Sequence, residues 1–338
     1  MLEELQARLA EISQAYRDPR LHLCQLEIVA LEGGGYALSG QVLDRDTLQQ
    51  VVSGLRMAFP ALSLQTTAVK VLRGDQPQLM TVATNVTGLY AQPSFQAEMV
   101  SQLLNGWAVE VLMARDRWCF VRQGDGYLGW AYQPYLDSAP APPPTEMVCT
   151  PIAVLRAAPD GDSPIVGRVM AGTAVAVAAV DGHWSCLSLA GGLTGWVPRR
   201  ALRSLAAMPS GEAARRAQIV RDAARFVGVP YLWGGCTALG IDCSGFAQML
   251  HRLIGITLPR DADMQYEAGR PAEPPFQPGD LLFFSEEGAR RTITHVGVSL
   301  GGWRIIHSSR SRNGVYEDDV QAVEHLRASY AGARTFLR

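Results

Sequence analysis

An internal repeat is the feature that most constrains how this chain can fold. Shifting the sequence by 66 residues aligns 84–138 with 150–204 without a gap, and the matches include two tryptophans and several glycines. Each copy alternates apolar and polar residues in short runs interrupted by Gly, Pro and Asp, a pattern typical of short antiparallel strands. In both copies the second tryptophan follows the first by 12 residues. We therefore expect two copies of one small all-β barrel, over residues 78–138 and 145–204.

The N-terminal residues 1–75 have a different pattern. Apolar residues recur first at helical and then at strand spacing, which predicts a small α-β-β-α-β module. No residue in it suggests chemistry, so we expect a structural or oligomerising role. The predicted elements are, in order, a helix over Leu2–Tyr16, strands over Leu23–Leu31 and Tyr36–Val42, a helix over Leu48–Phe59 and a strand over Leu62–Leu72.

A proline-rich stretch, Ala139–Pro144, separates the two repeats as a semi-rigid linker. A second break precedes a predicted helix over Gly211–Phe226, with Ser210 as its expected N-cap. The last domain is therefore expected over residues 210–338. A chain of 338 residues is long enough for the separate hydrophobic cores of the N-terminal module, the two barrels and this domain.

Composition excludes several classes of function. The formal net charge is −2 and 18% of the residues are charged, which gives no electrostatic footprint for nucleic acid. Apolar runs are too short for a membrane span, and the N-terminus has no secretion signal, so we expect a cytoplasmic protein. Six scattered cysteines favour reduced thiols, and no ligand spacing suggests a metal or cofactor; they are Cys24, Cys119, Cys149, Cys186, Cys236 and Cys243.

The chemistry is concentrated around Cys243. The motif Asp242–Phe246 follows a Gly-rich segment and opens an apolar helical pattern, which puts the thiol in the first turn of a helix. Unpaired backbone N–H groups and the helix dipole favour a thiolate there. Downstream, His295 and His307 can supply a base that forms an ion pair with the thiol and a group that orients the base. The alternatives are an inert buried thiol, and a third position filled by another polar group.

The register between the two histidines is a geometric requirement. A tight two-residue turn at Gly301–Gly302 would put His295 and His307 on opposite faces of the hairpin. A three-residue or bulged connection would bring His307 opposite Gly297, on the face of His295. We therefore predict the longer or bulged connection. His251 lies too far along the helix to serve the thiol, and His22, His183 and His325 are expected at the surface.

The repeats resemble bacterial SH3-like domains, and residues 211–338 resemble the NlpC-type family of cell-wall cysteine peptidases, which have a papain-like fold. The motifs that carry the second resemblance are Pro230–Gly235, Asp242–Phe246, Leu258–Ala262, Pro278–Leu281 and His295–Val298. The resemblance implies a multidomain α+β protein with Cys243 as nucleophile, His295 as base and His307 as orienting group. It also implies that Tyr231 supports the oxyanion beside the backbone N–H of Cys243.

A polar pair distinguishes the first repeat from the second. Glu98 and Tyr127 stand where the second copy has Pro164 and Leu193. A residue that serves only the barrel is expected in both copies, so this pair is expected to serve something else, although surface drift would give the same difference.

The chain resembles γ-D-glutamyl-L-diamino acid endopeptidases, in which two SH3-like domains precede the catalytic domain. The resemblance implies that Glu98, Tyr127 and Asp261 bind the ammonium of a murein peptide with a free L-Ala, and that Trp233 packs beside the alanine. Ala262 departs from the hydroxyl residue of some relatives and leaves the D-Glu carboxylate without that donor, so that Ser244 and backbone N–H groups are the remaining candidates to bind it. The expected substrate-binding set also includes Asp242, Ser244 and Arg260.

The sequence thus predicts a cysteine endopeptidase that cuts L-Ala-γ-D-Glu from a diamino acid, either diaminopimelate or Lys, in cell-wall recycling. Two alternatives remain at this point. One is a non-catalytic peptidoglycan-binding protein, and the other is an amidase or acyltransferase on the same fold. Oligomeric state is left open.

Overall fold

The computed structural model describes residues 1–285 and 292–337. Its contacts divide the chain into two compact units. The first comprises Met1–Leu79 and Val109–Trp130, and the second comprises Met80–Ala108 and Ala131–Arg338. Among the described residues, no helix is both long and apolar enough to cross a bilayer.

The N-terminal module has the predicted α-β-β-α-β order. Strand β2 pairs antiparallel with β1 and parallel with β3, and the parallel return is made through helix α2. Asp44 caps α2 by accepting the backbone N–H of Thr47 at 2.9 Å. Leucines of both helices pack on the sheet in one core. The elements are α1 (Leu2–Ser13), β1 (Cys24–Ala30), β2 (Tyr36–Val42), α2 (Arg45–Ala58) and β3 (Leu64–Val71), with a 3-10 turn at Gln14–Tyr16.

The central strands of the first repeat belong to the same compact unit as this module. Leu43 and Leu72 of the module share a core with Leu112 and Phe120 of the repeat. The Arg73 guanidinium donates to both carboxylate oxygens of Glu110, at 3.0 and 2.9 Å. The first repeat contributes β4 (Gln78–Val82), β5 (Val86–Tyr90), β6 (Met99–Leu104), β7 (Ala108–Arg115), β8 (Trp118–Arg122), β9 (Leu128–Tyr132) and β10 (Leu136–Asp137).

The second repeat forms a seven-stranded sheet with the order β13-β12-β16-β15-β14-β11-β17. Strands β12–β16 begin and end 66 residues after β5–β9, and β-bulges recur at Leu89/Tyr90 and Leu155/Arg156. The predicted duplication of one β fold is therefore confirmed. The strands are β11 (Glu146–Val148), β12 (Ile152–Arg156), β13 (Ile165–Met170), β14 (Ala174–Asp181), β15 (Trp184–Ser188), β16 (Thr194–Pro198) and β17 (Leu202–Ser204).

The C-terminal domain packs helices on a six-stranded sheet with the order β20-β25-β21-β22-β23-β24. Helix α4 lies against β22 and β23, and Phe246 and Leu250 enter the core that this sheet covers. The helices are α3 (Glu212–Ala223), α4 (Cys243–Arg252), α5 (Ala262–Ala268) and α6 (Glu324–Ser329). The strands are β18 (Cys236–Thr237), β19 (Gly240–Ile241), β20 (Arg270–Ala272), β21 (Leu281–Ser285), β22 (Ile293–Gly301), β23 (Arg304–Ser309), β24 (Gly314–Asp319) and β25 (Tyr330–Thr335).

One predicted helix boundary is wrong. The N-cap of α3 is Gly211 rather than Ser210, and no side chain caps the helix. Gly211 has a φ of 78°, a conformation that glycine adopts without the steric cost that other residues meet. The backbone therefore turns into the helix one residue later than the serine suggested.

Candidate active site

Cys243 is the first residue of α4, as the motif predicted. Asp242 is its N-cap, and one carboxylate oxygen accepts the backbone N–H of Gly245 at 2.7 Å. The thiol is 9% exposed. Its position at the helix start leaves the backbone N–H of Cys243 without a partner inside the helix, so this group is available to a developing oxyanion.

A buried charged network fixes this helix start. Arg260 is 1% exposed and donates to Asp242 at 2.6 and 3.2 Å and to the hydroxyl of Ser244 at 3.0 Å. Asp242 also accepts the backbone N–H of Gly234 at 2.9 Å. Sequence reasoning assigned Asp242, Ser244 and Arg260 to substrate binding. Their polar groups bond to one another inside the protein and position the loop before Cys243, and their role toward a substrate stays a prediction.

The thiol lies beside the strand that carries His295. The sulfur accepts backbone N–H groups of Val296 and Ser244, and both contacts oppose the rise in its pKa. Val296 directly follows His295 in β22. The fold thus brings the helix start and the histidine strand together.

The hairpin between the two histidines has the predicted bulge. Val298 pairs with Ile306 and Ser299 with Ile305, and the register then shifts before Gly301 pairs with Arg304. His307 therefore lies on the same face as His295. The two rings meet through His295 Nε2 and His307 Nδ1, which are 2.8 Å apart.

Two residues that sequence reasoning missed extend this contact into a relay. His307 Nε2 lies 3.2 Å from the carboxylate of Asp318, which also accepts from Arg312 at 2.7 Å. An ionised carboxylate only accepts, so His307 donates from Nε2 and accepts at Nδ1. His295 must then donate from Nε2, which leaves its Nδ1 with a free lone pair. This is the tautomer that a general base requires. Only the pairing of β23 with β24 signals Asp318, and that pairing is not visible in sequence motifs.

Burial sets the protonation of the site. It raises the pKa of the Cys243 thiol to about 12, with a smaller contribution from Asp242. It lowers the pKa of His295 to about 3 and that of His307 to about 4. At neutral pH burial therefore favours a neutral thiol and neutral imidazoles in the substrate-free protein. Burial acts against the ion pair expected from the sequence, because both charged forms lose hydration in this site, and the ion pair stays a prediction.

Glu98 of the first repeat reaches the catalytic domain. Its carboxylate accepts the indole N–H of Trp233 at 2.7 Å, and both side chains are exposed. Arg310 lies on the other side of the same loop, with its guanidinium carbon 5.4 Å from the Trp233 ring centroid and 5.7 Å from that of Tyr231. Tyr231 interacts electrostatically with both Cys243 and Arg310, and burial raises its pKa. The Trp233 indole therefore contacts both a carboxylate and a guanidinium, and the guanidinium also contacts Tyr231.

Strand β6 holds this loop from the side of the first repeat. Gly234 has a φ of 74°, and a side chain there would collide with the Met99 carbonyl at 2.1 Å. The side-chain oxygen of Gln102 accepts from the backbone of Cys236 at 2.8 Å and from the Thr237 hydroxyl at 3.1 Å. The glycine is required because two backbones meet at this point.

The remaining predicted site residues have different surroundings. Asp261 is half-buried at the start of α5, 3.8 Å from Arg260. Tyr127 belongs to the first compact unit, where it is 3% exposed. Their roles toward a substrate stay predictions.

The remaining histidines lie outside the His295–His307 contact. His251 is buried and bonded to the Ala247 carbonyl at 2.9 Å. His325 is exposed as expected, yet its charge would disfavour protonation of His295 and His307. Over residues 1–285 and 292–337, no group of three or more His, Cys, Asp or Glu is arranged to hold a metal ion.

Comparison with known proteins agrees with this geometry. Residues 228–336 match the NlpC/P60 family, residues 89–131 the bacterial dipeptidyl-peptidase Sh3 domain, and residues 153–203 the bacterial SH3 domain. A solved NlpC/P60 family protein from Bacillus cereus superimposes with a TM-score of 0.67 at 21% identity, over 77% of this chain and 100% of that one.

Curated relatives extend the similarity. The chain is 42% identical over 95 residues to γ-D-glutamyl-L-lysine dipeptidyl-peptidase of Bacillus subtilis, a match that covers 28% of this chain and 32% of the relative. It is 27% identical over 250 residues to dipeptidyl-peptidase 6 of Lysinibacillus sphaericus, covering 69% and 89% of the two chains. The match to a Bacillus cereus relative covers 36% of its length, so the first two relatives are each spanned over about a third. The chain therefore contains an NlpC/P60 domain preceded by two bacterial SH3 domains.

Proposed function

We propose that this protein is a cysteine endopeptidase that hydrolyses the bond between γ-D-Glu and a diamino acid in murein peptides with a free N-terminal L-Ala. The names of its relatives, γ-D-glutamyl-L-lysine dipeptidyl-peptidase and dipeptidyl-peptidase 6, support this substrate class. Peptides with a free L-Ala amine are already detached from the glycan. We therefore also propose a role in recycling such peptides in the cytoplasm.

Acylation begins with the neutral pair. As the γ-carbonyl carbon approaches, the Cys243 proton moves to Nδ1 of His295 while the sulfur forms a bond to that carbon. The His307–Asp318 relay stabilises the imidazolium that forms. The backbone N–H of Cys243 donates to the oxyanion, and the Tyr231 hydroxyl is the second donor.

Collapse of the tetrahedral intermediate breaks the carbon–nitrogen bond. His295 returns the proton to the leaving amine of the diamino acid, and an acyl thioester remains on Cys243. Water then attacks the thioester with His295 again as base, and the sulfur leaves as the thiol after regaining its proton. The products are L-Ala-γ-D-Glu and the peptide that begins with the diamino acid.

The observation that carries the proposed specificity is the hydrogen bond from Trp233 to Glu98. It supports an acidic group at the end of the cleft away from the leaving amine. A carboxylate has more than one acceptor site, so Glu98 retains capacity for a substrate ammonium. A capped alanine would leave this carboxylate without its counter-charge and would add bulk there.

The test compares L-Ala-γ-D-Glu-meso-diaminopimelate with the same peptide acetylated at alanine, and identifies the products by mass spectrometry. We expect kcat/KM to fall at least about 100-fold on acetylation, because the cost includes an unpaired charge. Glu98→Gln should lower cleavage of the free peptide and reduce this preference.

Several outcomes would contradict the proposal. Equal rates on both peptides would exclude the dipeptidyl specificity. Transfer of the acyl group to an added amine in place of hydrolysis would exclude the reaction type. Binding of intact sacculi by Cys243→Ala, together with no cleavage by the wild type, would favour the non-catalytic alternative.

A further inference from the structure

Arg310 is a charged group at the candidate cleft that the mechanism does not use. It opens the 3-10 turn Arg310–Arg312 between β23 and β24, two residues after the buried Ser308. Its guanidinium faces the rings of Tyr231 and Trp233, and it is exposed to solvent. Cation–π contacts orient the guanidinium, and one of its N–H groups donates to the Tyr231 hydroxyl, so the remaining donors can bind a planar anion.

The charge of Arg310 lacks a counter-ion among the residues described. Within 1–285 and 292–337, no carboxylate lies within 4.0 Å of it, whereas Arg312 pairs with Asp318 and Arg304 pairs with Glu317. The neighbouring surface arginines are thus neutralised and Arg310 is not. A guanidinium held on two rings at the wall of a cleft is suited to bind an anionic group of the ligand.

The other candidates for such an anion are already occupied. The Ser244 hydroxyl and the Arg260 guanidinium bond to each other and to Asp242, and both side chains are buried. Ala262 has no donor in its side chain. Of the cationic and hydroxyl groups considered for this role, Arg310 is the one that faces outward.

The order of groups along the cleft identifies which anion fits. Trp233 bonds to Glu98, proposed to face the alanine ammonium, and Tyr231 interacts with Cys243, which attacks the γ-carbonyl. Arg310 contacts both rings, so it is within reach of a ligand group that lies between these two ends. In L-Ala-γ-D-Glu, the group between the ammonium and the γ-carbonyl is the α-carboxylate of D-Glu.

We infer that Arg310 binds the α-carboxylate of the γ-linked D-Glu and selects it over the neutral α-carboxamide. This inference rests on the proposed function, since it assumes that the peptide occupies the cleft in that direction. It follows that a peptide with amidated D-Glu loses the contact with Arg310 and keeps its other contacts with the protein.

The experiment measures kcat and KM for two peptides, L-Ala-γ-D-Glu-L-Lys and the same peptide with the D-Glu α-carboxylate converted to the carboxamide. Wild type, Arg310→Gln, Arg310→Lys and the control Arg304→Gln are compared. For wild type we expect about a 10- to 100-fold preference for the carboxylate, the range of a charge-assisted hydrogen bond. Arg310→Gln should lose this preference, largely through KM, and Arg310→Lys should retain part of it.

The outcomes separate the inference from the proposed function. If Arg310→Gln slows both peptides by the same factor, Arg310 acts by holding Tyr231 and the inference is overturned. If Arg304→Gln loses the preference equally, the effect is one of general surface charge and the inference is likewise overturned. If wild type cleaves neither peptide, the proposed function itself fails, and the inference fails with it.

Discussion

Burial opposes charge on both the Cys243 thiol and the His295 imidazole. Helix position alone suggested a thiolate, but burial acts in the opposite direction and dominates at Cys243. The backbone N–H groups of Val296 and Ser244 partly offset this rise in the pKa of Cys243 and would stabilise the thiolate when it forms. Proton transfer is therefore expected to accompany attack on the substrate. In a site that excludes water, the free-energy cost of forming a charge is lower when fixed hydrogen-bond donors lie close to it.

Alkylation of Cys243 should follow this protonation state. We expect its rate with iodoacetamide to rise about tenfold per pH unit between pH 7 and 10, because the thiolate fraction rises by that factor below the pKa. Peptide-level mass spectrometry distinguishes Cys243 from the other cysteines, and His295→Gln should leave the profile unchanged. A plateau already reached below pH 7, lost in His295→Gln, would show a preformed ion pair.

The relay beyond His307 should affect turnover more than binding. Asp318→Asn can present an amide donor to His307, which removes the preference for the tautomer that frees Nδ1 of His295. We expect kcat to fall about 100-fold, within the range of general acid–base effects, with KM little changed. Glu317→Gln, on the same strand but exposed and paired with Arg304, is the matched control. Equal effects of the two substitutions would remove Asp318 from the mechanism.

At the scale of elements, two local devices create the site. The Asp242–Arg260 pair fixes how the Gly-rich loop enters α4, and the bulge in the β22–β23 hairpin puts both histidines on one face. The sequence predicted a three-residue or bulged connection, because a regular two-residue turn would put the two histidines on opposite faces. It did not predict the internal use of Arg260, because burial of a charge depends on what packs around it.

Removing Arg260 should destabilise the fold. Arg260→Ala leaves the buried Asp242 carboxylate without its counter-charge, and we expect a loss of about 3–5 kcal/mol in the free energy of unfolding. Urea denaturation measures it, with Arg304→Ala as a control expected to cost less than about 1 kcal/mol. A cost below 1 kcal/mol for Arg260→Ala would mean that the pair is not needed to hold the loop.

At the scale of the whole molecule, the compact units do not follow the sequence repeat. The central strands of the first repeat share a core with the N-terminal module, whereas β5 and β6 belong to the unit that contains the catalytic domain. The two repeats are thus similar in sequence but pack against different parts of the protein. Glu98 of the first repeat contacts Trp233 of the C-terminal domain, whereas the second repeat has Pro164 at the equivalent position.

Stability should fall in mild acid because three buried histidines resist protonation. Burial lowers the pKa of His251 and His307 to about 4 and that of His295 to about 3, from 6.5. As the pH falls below 6.5, the unfolded chain binds protons that the folded protein does not. Each histidine then removes up to about 1.4 kcal/mol of stability per pH unit until its folded pKa is reached.

Urea titrations at pH 7, 6 and 5 measure this loss, and His251→Gln should reduce the slope by about a third. Above pH 9 stability should fall again, because the Cys243 thiol ionises more readily in the unfolded chain. Constant stability between pH 7 and 5 would contradict the burial of these histidines.

Sequence patterns were sufficient to predict the element order of the N-terminal module, the duplicated β fold and the position of Cys243 at a helix start. These features follow from periodicity and local backbone preferences, which act over a few residues. The burial that favours a neutral thiol, the internal contacts of Arg260, and the presence of Asp318 and Arg310 near the site are visible only in the folded structure. Hydration and charge pairing depend on residues distant in sequence, and no local pattern records which of them the fold brings together.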